Sequence, residues 1–251
     1  MRISLLLLAM GATTVSAVAA DFSYMDGTSS MTGYLATPKM NTKSKGAVLI
    51  VHDWNGLDAY EKMRADLLAA KGYVALAIDV YGTGIRPKTV AECSTEAGKY
   101  YRDPNLLHRR LAAGLRAIQG VKGVDSKQIT AIGYCFGGTA VLEMARAGMT
   151  VKNVVSFHGG LAPLSKGVDP IKATVFVFHG QADTLVPEDQ VKAFTAEMLS
   201  LKANLKFVSY PGAKHAFSVK GSDSLGVAGV GYNADADRRS WTELLKLLSE
   251  K

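Results

Sequence analysis

The sequence predicts an α/β fold: a mostly parallel, doubly wound sheet with helices on both faces and an N-terminal hairpin. Three observations predict it. First, the apolar runs 47–51 and 73–78 flank a helical pattern over 60–71 that Gly72 stops. A strand, a helix and a strand in succession form the crossover unit of a parallel sheet, whose doubly buried strands read as unbroken apolar runs. Second, further short apolar runs recur at 129–134, 154–157, 174–178 and 205–210, with helical patterns between several of them. Third, 251 residues at 48% hydrophobic suit one α/β domain with a sizeable core.

The elements follow in chain order. Residues 1–20 have the build of a secretory leader. Arg2 gives a positive start, 3–10 is apolar but too short to span a bilayer, and Ala17-Val18-Ala19-Ala20 offers small residues for cleavage before Asp21. The expectation is an exported protein, periplasmic or secreted, whose mature domain is 21–251. The alternative is an uncleaved anchor. Segments 22–25 and 31–35 flank the turn-rich Asp26-Gly27-Thr28-Ser29-Ser30 and predict the hairpin. Residues 81–102 lack a strand pattern and carry a weak helical stretch from 89 to 101. They read as an excursion over the sheet's C-terminal edge. Asp103-Pro104 is a good N-cap and first-turn pair. Leu107, Leu111, Leu115 and Ile118 then repeat at helical spacing up to Gly120. Helices are also predicted over 139–146, 187–201 and 235–248.

Composition excludes several classes. The net charge of +7 comes from scattered basic residues, with doublets only at Arg109-Arg110 and Arg238-Arg239. Nucleic-acid binding wants a concentrated patch, so no such partner is expected. No later segment is long and apolar enough for a transmembrane span, so no stable membrane association is expected. No His/Cys/Asp cluster has zinc-like spacing, and no nucleotide-binding glycine motif follows a strand. Neither a metal nor a cofactor is implied.

The chemistry centres on Gly133-Tyr134-Cys135-Phe136-Gly137. A nucleophile between two glycines, on a turn from a strand into a helix, is the elbow of strand-held nucleophiles, here with sulfur. At a helix N-terminus the dipole favours a thiolate, and free N–H groups can hold an oxyanion. The competing reading is a buried core cysteine in a glycine-rich turn. A thiol nucleophile needs a base, and the base needs an orienting acid. Asp183 follows the 174–178 strand and His215 follows the last strand, so both fall at the sheet edge where active sites form. Cys135, Asp183 and His215 stand in the nucleophile–acid–histidine order of α/β-hydrolases. Among the other histidines, His52, His158 and His179 end strands and read as structural, the first two bonding loop carbonyls. His108 reads as exposed on a helix.

Gly133-Tyr134-Cys135-Phe136-Gly137-Gly138, His179-Gly180-Gln181-Ala182-Asp183 and His215-Ala216-Phe217 together resemble the dienelactone hydrolase family. His52-Asp53-Trp54-Asn55-Gly56, Asp79-Val80-Tyr81-Gly82 and the stretch from Tyr232-Asn233 to Trp241 fit the same pattern. The resemblance spans most of the mature chain and implies an α/β-hydrolase fold. It implies Cys135 as nucleophile, His215 as general base and then acid, and Asp183 as the orienting carboxylate. The oxyanion would be held by the backbone N–H groups of Phe136 and Trp54. Asp53 stands where the family has a thiol-contacting acid, commonly the longer Glu. Tyr81 and Phe217 are candidates for the substrate pocket. Members specific for dienelactone hold its carboxylate with two arginines; the corresponding positions here are Thr83 and Val219, with Arg86 nearby. The expected substrate is therefore an uncharged small-molecule ester or lactone rather than dienelactone.

Two rivals stand beside this reading. One is a silent hydrolase scaffold that binds ligands, with Cys135 oxidised or bridged to Cys93. Two cysteines in an exported chain make a bridge the first thing to consider. The other is a thiol redox protein, which would want a C-x-x-C that the sequence lacks. The expected assembly is a monomer or a small homo-oligomer.

Overall fold

The computed structural model describes residues 18–39 and 44–250. The expected leader lies outside these residues except for Val18–Ala20, which belong to the first strand. Strands β1 (Val18–Asp26) and β2 (Ser29–Thr37) form the antiparallel hairpin. The central strands β3 (Ala47–Val51), β4 (Val74–Ile78), β5 (Ile129–Tyr134) and β6 (Asn153–Phe157) are buried at every residue. With β7 (Thr174–Gly180) and β8 (Leu205–Tyr210) they complete an eight-stranded sheet in the order β1-β2-β4-β3-β5-β6-β7-β8. The pairings from β4 to β8 are parallel, and β2 joins β4 antiparallel.

Strand periodicity sends alternate side chains of β3 to two separate cores. Leu49 and Val51 face one, built with residues of α2 (Val90–Arg102), α3 (Pro104–Gln119), α4 (Phe136–Arg146) and α5 (Glu188–Ser200). Val48 and Ile50 face the other, built with α1 (Ala59–Ala70) and α6 (Ala234–Ser249). Helices thus cover both faces. The caps follow the sequence. Asp58 and Glu61 form a capping box on α1, Thr89 and Glu92 another on α2, and Asp103 caps α3 ahead of Pro104. The helix after the elbow begins at Phe136, three residues before the expected start, because the turn itself is its N-terminus.

β3 pairs with β4 on one side and β5 on the other. The chain leaves β3 toward β4 by way of α1 and leaves β5 toward β6 by way of α4. The two connections diverge, opening a crevice at the carboxyl ends of β3 and β5, the switch point where ligands bind in open α/β sheets.

Candidate active site

Cys135 occupies the turn between β5 and α4 with φ 49° and ψ −107°, a conformation that L-residues rarely adopt. The flanking glycines permit it. A Cβ on Gly133 would lie 2.0 Å from the Gly137 carbonyl oxygen, and one on Gly137 would lie 2.2 Å from that of Val51. Neither position accepts a side chain.

Asp183 and His215 meet Cys135 from the loops after β7 and β8. His215 Nε2 lies 3.0 Å from Cys135 Sγ, and His215 Nδ1 lies 2.8 Å from Asp183 Oδ2. Asp183 Oδ1 accepts the backbone N–H groups of Leu185 at 2.9 Å and Val186 at 3.2 Å, which fixes the carboxylate's rotation. A carboxylate on Nδ1 sets the tautomer that leaves Nε2 free to take a proton from sulfur.

The thiol's electrostatics differ from the sequence expectation. Helix and imidazole favour a thiolate, but burial pushes the Cys135 thiol well above its ordinary range, and the charge and hydrogen bonding of Asp53 push the same way. The Phe136 N–H opposes them without prevailing. Burial and Asp53 thus both favour the thiol over the thiolate. The shorter Asp53 does reach the thiol's surroundings. Burial raises its own carboxyl to about 6, against the pull of the Trp54 N–H, His215 and Cys135.

The two expected oxyanion donors are not alike. Phe136 is the first residue of α4, so its N–H has no partner within the helix. The Trp54 N–H is engaged by Asp53 Oδ1 at 2.5 Å. Asp53 therefore restrains the thiol proton and covers one donor. Its loop is pinned by the buried Glu61, whose carboxylate accepts the N–H groups of Asp53 at 3.1 Å and Asp58 at 3.2 Å.

A cavity of about 840 Å³ opens over Cys135 and His215, with Asp53 and Trp54 in its wall. Its apolar lining includes Leu57, Val90, Leu185, Val219, Leu225 and Val230, from four separate stretches of chain. Two residues expected in the pocket lie in the core instead. Tyr81 and Phe217 are buried, at 2% and 0% exposure, and do not line the cavity. Tyr81 donates to the Trp54 carbonyl at 2.9 Å and packs on His52, while Phe217 packs on His158 and Tyr210. Both are large apolar rings that the core claims first. Arg86 reaches the cavity wall, but its guanidinium is committed to Asp79. Cys93 also lines the cavity, and it and Cys135 are unpaired.

The other histidines sort by their partners. His52 Nε2 accepts the Val80 N–H at 3.1 Å, so Nδ1 carries the proton to the Asp53 carbonyl at 2.6 Å, a structural role. His108 is not free on its helix: Nε2 meets the buried Glu143 at 3.2 Å. His158 bonds no loop carbonyl; it contacts the Cys135 N–H and Ser218. Sequence reasoning missed Ser218 and Tyr60, which hydrogen-bond across 158 positions of chain and carry no local signal.

The model of the dienelactone hydrolase family matches residues 31–251. A solved structure described as a dienelactone hydrolase-like promiscuous phosphotriesterase from metagenomic libraries is 32% identical, with TM-score 0.87, covering 93% of this chain and 98% of that one. A Synechocystis sp. protein named "Putative carboxymethylenebutenolidase" is 27% identical over 230 residues, 86% of this chain and 89% of that protein. A Caenorhabditis elegans protein, K02A2.1, is 37% identical over 149 residues, 57% of this chain and 93% of its own length. No helix among the described residues is long and apolar enough to cross a membrane.

Proposed function

We propose a thioester mechanism for this chain, which belongs to the dienelactone hydrolase family and is a carboxylic ester hydrolase. Cys135 is the nucleophile, His215 the proton carrier and Asp183 its orienting acid. The observation that carries this reading is the continuous contact from Asp183 through both nitrogens of His215 to sulfur, at 2.8 and 3.0 Å.

The substrate carbonyl enters over Cys135 with its oxygen toward the N–H groups of Phe136 and Trp54. Asp53 releases the Trp54 N–H as it does so. Two restraints on the thiol then weaken together, and the proton passes from sulfur to His215 Nε2. Sulfur bonds to the carbonyl carbon, and the electron pair moves to oxygen, where the backbone donors stabilise it. Asp183 stabilises the imidazolium. Collapse breaks the carbon–oxygen bond to the leaving alcohol, which takes the proton from His215. Water, deprotonated by the same nitrogen, attacks the thioester, and the departing sulfur recovers its proton.

The substrate is an uncharged ester or lactone. The mostly apolar lining of the cavity, whose cations besides Arg86 are Lys88 and Lys220, and the commitment of Arg86 to Asp79 support this choice. It agrees with the phosphotriesterase activity for which the similar metagenomic protein is described, since phosphotriesters carry no charge. The leader-like residues 1–20 support export, which detection of the mature chain beginning at Asp21 in a periplasmic or secreted fraction would test. Steady-state hydrolysis of short-chain p-nitrophenyl esters, alongside Cys135→Ala, tests the mechanism. Multiple turnovers that vanish in the variant are expected. Equal release by both proteins, or none by either, would favour the binding scaffold.

A further inference from the structure

His158 stands outside the proposed Cys–His–Asp contact, yet it touches both halves of the site. It follows β6 with φ 40° and is 1% exposed. Its ring lies 5.5 Å from that of His215 and 5.0 Å from that of Phe217. The Cys135 N–H donates to His158 Nδ1 at 3.2 Å, besides the Phe157 carbonyl at 3.0 Å. Nδ1 is then the bare nitrogen, and the proton sits on Nε2, which donates to Ser218 Oγ at 2.8 Å.

The remaining donors follow from that tautomer. Ser218 Oγ donates to Tyr60 Oη at 2.8 Å, and Tyr60 donates to the Ser218 carbonyl at 3.2 Å. Arg64 Nη2 donates to Tyr60 Oη at 3.0 Å and to the Ser218 carbonyl at 3.2 Å, and it pairs with Asp237 at 2.5 Å. The network runs from the nucleophile's own backbone to α1 and α6. Ser218 lies three residues after His215, on a loop strained at Ala216, whose φ is 57°. Of the four non-glycine residues with positive φ among the described residues, Cys135, His158 and Ala216 surround this one point. Strained backbone persists only where its surroundings hold it.

We infer that His158 is a positioning residue, a clamp that ties the backbone of Cys135 to the loop carrying His215 and keeps Nε2 within bonding distance of sulfur. A doubly protonated ring would set an N–H against the Cys135 N–H and break the clamp. Burial, followed by the charges of His215 and Arg64, holds the imidazole well below its ordinary range and prevents this. The inference rests on Cys135 and His215 acting as nucleophile and base, a pair whose efficiency falls steeply with misplacement.

The test compares wild type, H158L, H158Q, H158N, S218A and H215A. One readout is the rate of Cys135 alkylation by iodoacetamide at pH 7.5, followed on the Cys135 peptide by mass spectrometry. The other is kcat and KM on p-nitrophenyl butyrate per active site titrated by the burst. We expect H158L to lower alkylation about tenfold, toward the H215A floor, and kcat by at least as much, with KM within about threefold. H158Q keeps only the donor to Ser218 and H158N only the acceptor for Cys135, so each holds one end of the clamp and recovers part of the loss. A purely structural role would lower the melting temperature and leave both rates per folded site within twofold of wild type, which overturns the inference. If H158L does not fold, S218A reads the same link, and rates within twofold of wild type overturn it. If alkylation falls in H158L while the wild type turns over no ester, the hydrolase reading fails and the clamp stands. Alkylation in H215A equal to wild type would remove the pairing on which both depend.

Discussion

Arg86 forks onto Asp79, with Nη1 3.3 Å from Oδ1 and Nη2 3.2 Å from Oδ2, and the Asp79 side chain has no exposure at all. Asp79 Oδ1 also accepts the Gly82 N–H at 3.1 Å, so the pair braces the start of the excursion that walls the cavity. An arginine that neutralises a buried carboxylate is not free for a substrate.

Substrate charge tests this directly. A neutral ester such as p-nitrophenyl butyrate should exceed the p-nitrophenyl monoester of glutaric acid in kcat/KM by about tenfold or more, the worth of one charge-assisted hydrogen bond. V219R places a guanidinium on the cavity wall and should narrow the ratio, chiefly through the KM of the acidic ester. A wild type that prefers the acidic ester would contradict the committed role of Arg86.

Asp53 makes a prediction about stability and pH. Its folded carboxyl sits at about 6, above the ordinary 3.8, so the folded state holds the proton more tightly than the unfolded chain does. The charged form therefore weakens the fold. That penalty is absent below about pH 4, grows as pH rises through 6 and is complete above it. D53N should be more stable than wild type at pH 8 by at most about 3 kcal/mol, and the difference should vanish by pH 4. Urea unfolding of both proteins at the two pH values measures it. D53N should also raise Cys135 alkylation at neutral pH, since it removes a charge that opposes the thiolate.

The elbow glycines should tolerate no substitution. G137A would press a methyl group against the Val51 and His52 carbonyl oxygens, at 2.2 and 2.6 Å, both backbone atoms of a central strand's end. A loss of about 4 kcal/mol or more, the range of severe core disruption, is expected in denaturant unfolding. A mild effect would mean that the β3 end yields more than its packing indicates.

On α4, Glu143 and Arg146 are fully buried. Glu143 accepts Arg146 Nη1 at 3.0 Å, the Leu164 N–H at 3.0 Å and Ser165 Oγ at 2.6 Å, while Arg146 also grips Glu197 at 2.7 and 2.9 Å. R146M strands Glu143 in the core and should cost about 3–5 kcal/mol. E143L/R146M together should cost less than R146M alone, because the fully buried charge is gone and only Glu197, which is partly exposed, loses its partner. A double-mutant cycle by urea unfolding measures the coupling.

Much of this molecule was legible in one dimension because its signals are local. Each central strand is an apolar run, Asp58 and Asp103 announce their helices as caps, and Gly133 and Gly137 mark a turn that only glycine permits. Cys135, Asp183 and His215 were legible for the same reason: each closes a strand, and parallel strands bring their carboxyl ends to one edge. What folding alone decided lies between segments far apart in the chain. Sequence could not say that Asp53 would cover the Trp54 N–H and oppose the thiolate, because burial sets that balance. Nor could it say that Arg86 would be spent on Asp79, that Tyr81 and Phe217 would turn into the core, or that His158 would join Cys135 to Ser218. Local spacing determines which elements form and where their ends lie. The state of a proton, and which of several nearby groups takes a given hydrogen bond, depend on water excluded by side chains a hundred residues away.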